Sequence, residues 1–152
     1  MPRIAYVNGR YVPHAEAAVH VEDRGYQFAD GVYEVIAVHR GQFLGEQGHF
    51  DRLAHSLGEL RIAWPMAQKP MSMVLREVAR RNRVIDGLIY LQITRGVAPR
   101  DHQFPKDITS SMVVTAVKRA PIDKAKLLEG IDVISVPDIR WKRRDIKSIG
   151  LL

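Results

Sequence analysis

The sequence predicts an α+β fold, and three observations carry that prediction. Four stretches are rich in β-branched residues: Ile4 to Val7 with Tyr11-Val12, Val32 to His39, Leu88 to Thr94, and Ser110 to Lys118. Two others, His49 to Ile62 and Met71 to Arg83, repeat apolar residues at helical spacing. Turn signals such as Asn8-Gly9 and Arg40-Gly41 separate neighbouring strands.

Composition narrows the class. At 152 residues, 46% hydrophobic and 26% charged, the chain has the balance of an ordinary globular protein with a sizeable core. It contains no Cys, so disulfide frameworks and Cys-based metal sites are excluded, which fits a reducing, cytoplasmic setting. The opening MPRIAYVNGRYVP lacks the apolar core of a signal peptide. No apolar run approaches the roughly 20 residues of a membrane helix, so no membrane partner is expected. The net charge of +6 points to anionic partners, among which phosphate, carboxylates and nucleic acid all qualify.

Each element has a local reason. Asn-Gly between two apolar pairs is a hairpin signal, so Ile4 to Val12 is expected to form one. Glu22 to Gly25 reads as a polar loop and Asp30-Gly31 as a turn. On the strand Val32 to His39, Tyr33, Val35 and Ala37 share one face; Val32, Glu34, Ile36 and Val38 share the other, where Glu34 is out of place. The first helix carries Phe50, Leu53, Ala54, Leu57, Leu60 and Ile62 as its stripe and is expected to end at Trp64-Pro65. The second buries Met71, Val74, Leu75 and Val78, with Met73 adding apolar surface and Asn82 as its stop. His49 and His55 have no partner at a convincing metal spacing, and no metal is expected. The segment 119–124, containing Pro121, reads as a linker. It separates a first domain, 1–118, from a second that begins at 125 with a helical turn over Ala125 to Glu129. Ile131 to Ile139 reads as the opening strand of that second domain.

The last stretch, RWKRRDIKSIGLL from Arg140 to Leu152, sets Lys147 between a basic run and an apolar tail. An amine whose charged form is disfavoured by apolar surroundings loses pKa and becomes nucleophilic towards carbonyls. By residue type alone Lys147 also reads as an ordinary solvated lysine. Tyr33 likewise reads as a half-buried strand aromatic, Arg52 as a solvated helix arginine lying off the apolar stripe, and Arg100 and His102 as members of a charged, Pro-flanked loop, Arg95 to Pro105.

Four segments in order settle between these readings. DIKS at 145–148, preceded by Arg140-Trp141, resembles the lysine motif of the fold-type IV (class IV) pyridoxal-phosphate-dependent aminotransferases. EDRGYQFADGVYEV (22–35) resembles that family's early loop-and-strand segment, HFDRL (49–53) its phosphate-arginine segment, and TRGVAPRDHQFP (94–105) the carboxylate-binding loop of its D-amino acid members. The resemblance covers nearly the whole chain and is strongest to the D-amino acid aminotransferases.

The resemblance implies a two-layer α/β sandwich followed by the start of a barrel-like α/β cofactor domain that is cut short, since relatives continue well past the lysine. It implies pyridoxal 5'-phosphate as cofactor, held by Arg52 and by a Schiff base to Lys147. Tyr33, Arg100 and His102 would orient the substrate's α-carboxylate, the last two reaching across a homodimer interface. The implied reaction is transamination between D-amino acids and 2-oxo acids, for example D-alanine and 2-oxoglutarate, and the 152-residue chain alone is expected to have little or no activity. Gly150 departs from the polar residue that relatives often carry there. Branched-chain aminotransferases and aminodeoxychorismate lyases share the fold and remain alternatives. A reading from outside the family is a nucleic-acid module built on Arg140, Lys142, Arg143, Arg144 and Lys147 with Trp141 as a stacking residue. The basic residues elsewhere are scattered among acids, and no nucleic-acid partner is expected.

Overall fold

The computed structural model describes residues 3–120, 124–138 and 142–150. Its centre is one six-stranded sheet of β1 (Ile4–Val7), β2 (Arg10–Pro13), β3 (Gly31–His39), β4 (Gln42–Phe43), β5 (Gly87–Thr94) and β6 (Ser111–Lys118), in the order β2-β1-β6-β5-β3-β4. All of its pairings are antiparallel.

The β1–β2 hairpin forms where expected. Asn8 and Gly9 take φ of 43° and 92°, as a tight two-residue hairpin turn requires. Asn8 also reaches outside its hairpin: its side-chain oxygen accepts from the Met112 amide at 2.7 Å, tying the turn to β6. Along β3 the two-residue period divides the faces as its sequence predicts. Val32, Glu34, Ile36 and Val38 are buried, whereas Tyr33, Val35 and Ala37 are half-buried.

Two helices, α2 (Glu46–Glu59) and α3 (Gln68–Arg81), cover the buried face. Phe50, Leu53 and Leu57 of α2 and Met71, Leu75 and Val78 of α3 meet Ile36, Ile89, Leu91, Ile93, Met112 and Val114 from the sheet. This is the two-layer α/β sandwich. On the opposite face of the sheet, Tyr33, Val35, Leu88, Tyr90 and Gln92 stay half-buried.

Several boundaries differ from expectation. Helix α2 begins three residues before His49, where the Glu46 carboxylate accepts hydrogen bonds from Ser72 and Arg76 of α3. It ends at Glu59 instead of running to Ile62. Arg61 turns left-handed at φ 52°, and the Ile62 amide reaches back to the Leu57 carbonyl at 2.9 Å. That closing motif keeps Ile62 in the core without making it helical. Met73 is 66% exposed and does not fill the core. The expected polar loop at Glu22 to Gly25 contains the start of a short helix, α1 (Arg24–Phe28), capped by Asp23.

The strand expected over Ile131 to Ile139 does not form. Among its described residues, 131–138, none pairs in a sheet, and Ile131, Val133, Ile134 and Val136 are all exposed. Apolar β-branched residues favour a strand only where a neighbouring edge supplies hydrogen-bonding partners, and none lies beside this segment among the described residues. A helix over Lys124–Glu129, α4, precedes it as expected. Part of the expected linker, 121–123, and Ile139, Arg140, Trp141, Leu151 and Leu152 lie outside the described residues.

Candidate active site

Lys147 does not follow a strand of its own; it is docked on β3. The Tyr33 amide donates to the Lys147 carbonyl at 3.0 Å, and the Ile149 amide donates to the Gly31 carbonyl at 3.0 Å. Val32 and Ser148 form an antiparallel bridge. The segment thus uses the edge of β3 at its N-terminal end, while β4 occupies the same strand's other end, at Val38 and His39. Close approach depends on Gly31, where an added Cβ would lie 2.6 Å from Ile149 Cδ1 and 2.7 Å from the Ile93 carbonyl oxygen.

Helix α2 holds the same segment from the other side. The Lys147 amide donates to Ser56 Oγ at 3.0 Å. His55 Nε2 and Asp145 Oδ2 are 2.8 Å apart. Arg143 pairs with both Glu59 and Asp145 at 2.7 and 2.9 Å. The Arg143 and His55 hydrogen bonds hold the Asp145 carboxyl well below the usual carboxylate range. Between these polar ties Ile146 is buried as an anchor.

Docking places the Lys147 amine 4.2 Å from the centroid of the Tyr33 ring. Among the described residues it meets no carboxylate. The Tyr33 ring stacks in turn on Tyr90, with centroids 5.7 Å apart, and the Tyr90 hydroxyl donates to Gln92 at 2.7 Å. Burial, then the neighbouring Tyr33 phenol, pushes the Tyr90 phenol pKa up.

Arg52 lies one turn before Ser56, on the same face of α2. Its Nε and Nη2 donate to the two carboxylate oxygens of Glu34 at 2.7 and 2.6 Å. His49 Nδ1 lies 2.7 Å from Glu34 Oε2. Glu34, the carboxylate that was out of place on an apolar face, is therefore a buried anchor, with a side chain only 1% exposed against 47% for Arg52. Its hydrogen bonds raise the Arg52 guanidinium pKa further.

A second cluster organises the loop after β5. Arg24 donates to Asp30 at 2.8 Å and to the Asp101 carbonyl at 2.8 Å. Arg95 donates to both Asp30 oxygens, at 2.7 and 3.0 Å, and to the carbonyls of Leu60 and Arg61. Burial pushes the Asp30 carboxyl up, but the Arg95 and Arg24 hydrogen bonds outweigh it and hold it below its ordinary value. The anchored loop carries Arg100 and His102 to one ring: the Arg100 guanidinium is 5.0 Å and the His102 ring 5.5 Å from the centroid of Phe28.

Within one chain the candidate residues form two groups. Lys147, Tyr33 and Arg52 are drawn together around β3 and α2; Arg100 and His102 gather on Phe28. Among the described residues, no hydrogen bond or ring contact joins Arg100 or His102 to Tyr33. An open cleft of about 400 Å³ is lined by Arg24, Phe28, Asp30 and His102 together with Ser148 and Gly150 of the lysine segment.

Glu34, Ser56, Asp30 and Asp145 were not among the residues assigned a role from sequence. Glu34 alone left a legible sign, its position on an apolar strand face.

The class IV amino-transferase family profile matches residues 31–152, which include β3, α2 and the docked lysine segment. The chain belongs to the class IV aminotransferases. The D-alanine aminotransferase of Listeria innocua is 41% identical over 148 residues, covering 96% of this chain and 51% of that protein. That of Bacillus licheniformis is 40% identical over 147 residues, covering 95% and 51%. The chain spans about half the length of these curated relatives. Solved class IV structures share the fold at lower identity. The branched-chain amino acid aminotransferase of Escherichia coli superposes with a TM-score of 0.72 at 20% identity, over 78% of this chain and 40% of that one. The 4-amino-4-deoxychorismate lyase of Pseudomonas aeruginosa gives 0.64 at 22%, over 84% and 44%. A further branched-chain amino acid aminotransferase, solved with pyridoxamine 5'-phosphate, gives 0.73 at 21%, over 83% and 43%. In this class IV chain the donor set suits such a cofactor. It offers an amine that meets no carboxylate among the described residues and an arginine whose Nη1 takes no part in its bond to Glu34.

Proposed function

We propose that this chain supplies the lysine and part of the cofactor and substrate contacts of a pyridoxal-phosphate-dependent aminotransferase acting on D-amino acids and 2-oxo acids. The observation that carries the reading is the double docking of Lys147, on the edge of β3 and on Ser56 of α2, which sets its amine over Tyr33. When bound, pyridoxal phosphate would withdraw electrons released at the substrate's α-carbon.

The chain's own residues divide the remaining work. Lys147 Nζ would hold the cofactor and is placed to accept and return a proton. Arg52 would grip phosphate with the edge of its guanidinium that Glu34 leaves free. The Tyr33 hydroxyl and the Arg100 and His102 side chains would orient the α-carboxylate. Because Arg100 and His102 stand apart from Tyr33 within one chain, a second subunit that brings its own pair to this Tyr33 fits the geometry. A homodimer is part of the proposal for that reason.

The D-alanine aminotransferase relatives, at about 40% identity, favour D-amino acids over the branched-chain and lyase alternatives, whose structural likeness carries fold alone. The nucleic-acid reading loses support from the ion pairs of Arg143 with Glu59 and Asp145 and of Arg144 with Asp138, which engage two of the five basic residues it relies on.

The test is to add pyridoxal phosphate, record the absorption spectrum, reduce with borohydride and map the labelled peptide. Label confined to Lys147, and lost in Lys147→Ala, is the expected result; label spread over several lysines would reject the assignment. D-alanine and L-leucine, each offered with 2-oxoglutarate, then separate the D-specific from the branched-chain reading by product.

A further inference from the structure

We infer that Glu34 is a positioning residue that aims Arg52 at the cofactor phosphate, with His49 as the second support; this rests on the function proposed above.

A carboxylate on the helix-facing side of β3, between Val32 and Ile36, is unfavourable to bury unless every oxygen is satisfied. Glu34 is satisfied completely by one helix. Oε1 accepts Arg52 Nε at 2.7 Å; Oε2 accepts Arg52 Nη2 at 2.6 Å and lies 2.7 Å from His49 Nδ1. An ionised carboxylate is an acceptor only, so His49 Nδ1 carries the proton in this pair. The 3.3 Å approach of Arg52 Nη2 to the same nitrogen is then a packing contact.

The geometry decides what the pairing is for. Glu34 takes the side of the guanidinium formed by Nε and Nη2. The end formed by Nη1 and the second Nη2 proton is left over, and that end is the one that matches two phosphate oxygens side by side. The guanidinium is half-exposed, whereas its anchor is buried. A structural ion pair needs no such outward edge. A long, half-exposed arginine side chain also loses several rotatable bonds on binding an anion, and a bidentate anchor removes that loss in advance. His49 and Arg52, three residues apart on α2, both converge on one carboxylate, so the guanidinium plane is held as well as its position.

The test compares binding of pyridoxal 5'-phosphate with binding of pyridoxal, which lacks the phosphate, by equilibrium absorbance and fluorescence titration. A residue that only supports folding weakens both ligands alike; one that aims Arg52 lowers the preference for the phosphorylated ligand. Glu34→Gln, which keeps volume and one acceptor, is expected to lower that preference roughly tenfold. Arg52→Ala is expected to lower it at least as much. In the double variant, Glu34→Gln is expected to add nothing to the loss already caused by Arg52→Ala, because its effect acts through that side chain. His49→Gln, at the helix surface, is expected to give a smaller loss in the same direction and provides the reading if Glu34→Gln does not fold. If Arg52→Ala removes the preference but Glu34→Gln and His49→Gln keep it, the inference is wrong and the phosphate reading of Arg52 stands. If the parent protein binds both ligands equally, or Arg52→Ala changes nothing, that underlying reading fails, and the inference fails with it.

Discussion

Asp145 and His55 lie ninety residues apart in sequence, yet Asp145 Oδ2 sits 2.8 Å from His55 Nε2. Together with Ser56, one residue along α2, this contact ties the Lys147 segment to the helix, as the edge of β3 ties it to the sheet. The helix presents Arg52, His55, Ser56 and Glu59 to the strand and the lysine segment, so one element positions both the proposed phosphate arginine and the proposed cofactor lysine.

The clasp can be opened selectively. Asp145→Asn removes the charge that pairs with His55 and Arg143, leaving Ile146 and the Ser56 bond to hold the segment. Faster hydrogen exchange is expected at the Lys147 and Tyr33 amides, with exchange along β5 unchanged. Unaltered protection at both amides would show that the β3 pairing holds the lysine unaided.

Asp30 joins two buried arginines, Arg24 and Arg95, whose side chains are 4% and 7% exposed. Asp30→Asn leaves both as uncompensated buried charges and is expected to cost about 3–5 kcal/mol in urea unfolding. The sign of the pH effect follows from the lowered folded-state pKa. The contribution is complete above the unfolded carboxylate pKa of roughly 3.9 and is lost as pH falls below it. The variant is therefore expected to show a flatter fall in urea midpoint on acidification than the parent protein.

Gly31→Ala is expected to destabilise the fold by about 1–3 kcal/mol, because its Cβ meets backbone at Ile93 as well as the Ile149 side chain. The Ile149 partner gives a specific signature. Even where β3 and β5 tolerate the methyl group, the 147–149 segment is expected to leave the β3 edge, seen as lost protection of the Ile149 amide.

On the outer surface of α3, hydrogen bonds from Arg80 and then Arg81 hold the Glu77 carboxyl down to about 2. Its small stabilising contribution is present above the ordinary carboxylate pKa of roughly 4.3 and disappears as pH falls through the folded value. A carbon-13 titration of the Glu77 side chain is expected to show a midpoint well below that of a free glutamate, moving upward with added salt because the group is exposed to solvent.

Removing the Leu57 side chain is expected to cost about 2–5 kcal/mol in urea unfolding, since Leu57→Ala empties a fully buried site between α2 and the sheet. A cost below about 1 kcal/mol would mean that the core collapses around the cavity more readily than its packing implies.

Features with local causes were legible in the chain of residues alone. Asn8-Gly9 set a hairpin because its turn needs two residues with positive φ. The two-residue period of β3 put Tyr33 and Glu34 on opposite faces, and the spacing of Phe50, Leu53 and Leu57 gave α2 its buried stripe. Resemblance across four ordered segments added the family. Which charges meet was settled only by folding. Nothing within the neighbourhood of Glu34 says that its partner is Arg52, because that pair forms only when β3 and α2 are brought face to face; nothing near Asp30 says that it serves Arg95 as well as Arg24, because Arg95 reaches it only when β5 pairs with β3. The same limit explains the segment 131–138, whose β-branched pattern is real but whose strand is absent. Side-chain preference can favour an extended backbone locally, while a strand also needs another chain segment to accept its hydrogen bonds. The placement of Lys147 reverses that case: its segment has little strand character, yet the open edge of β3 and Ser56 of α2 supply the partners that hold it.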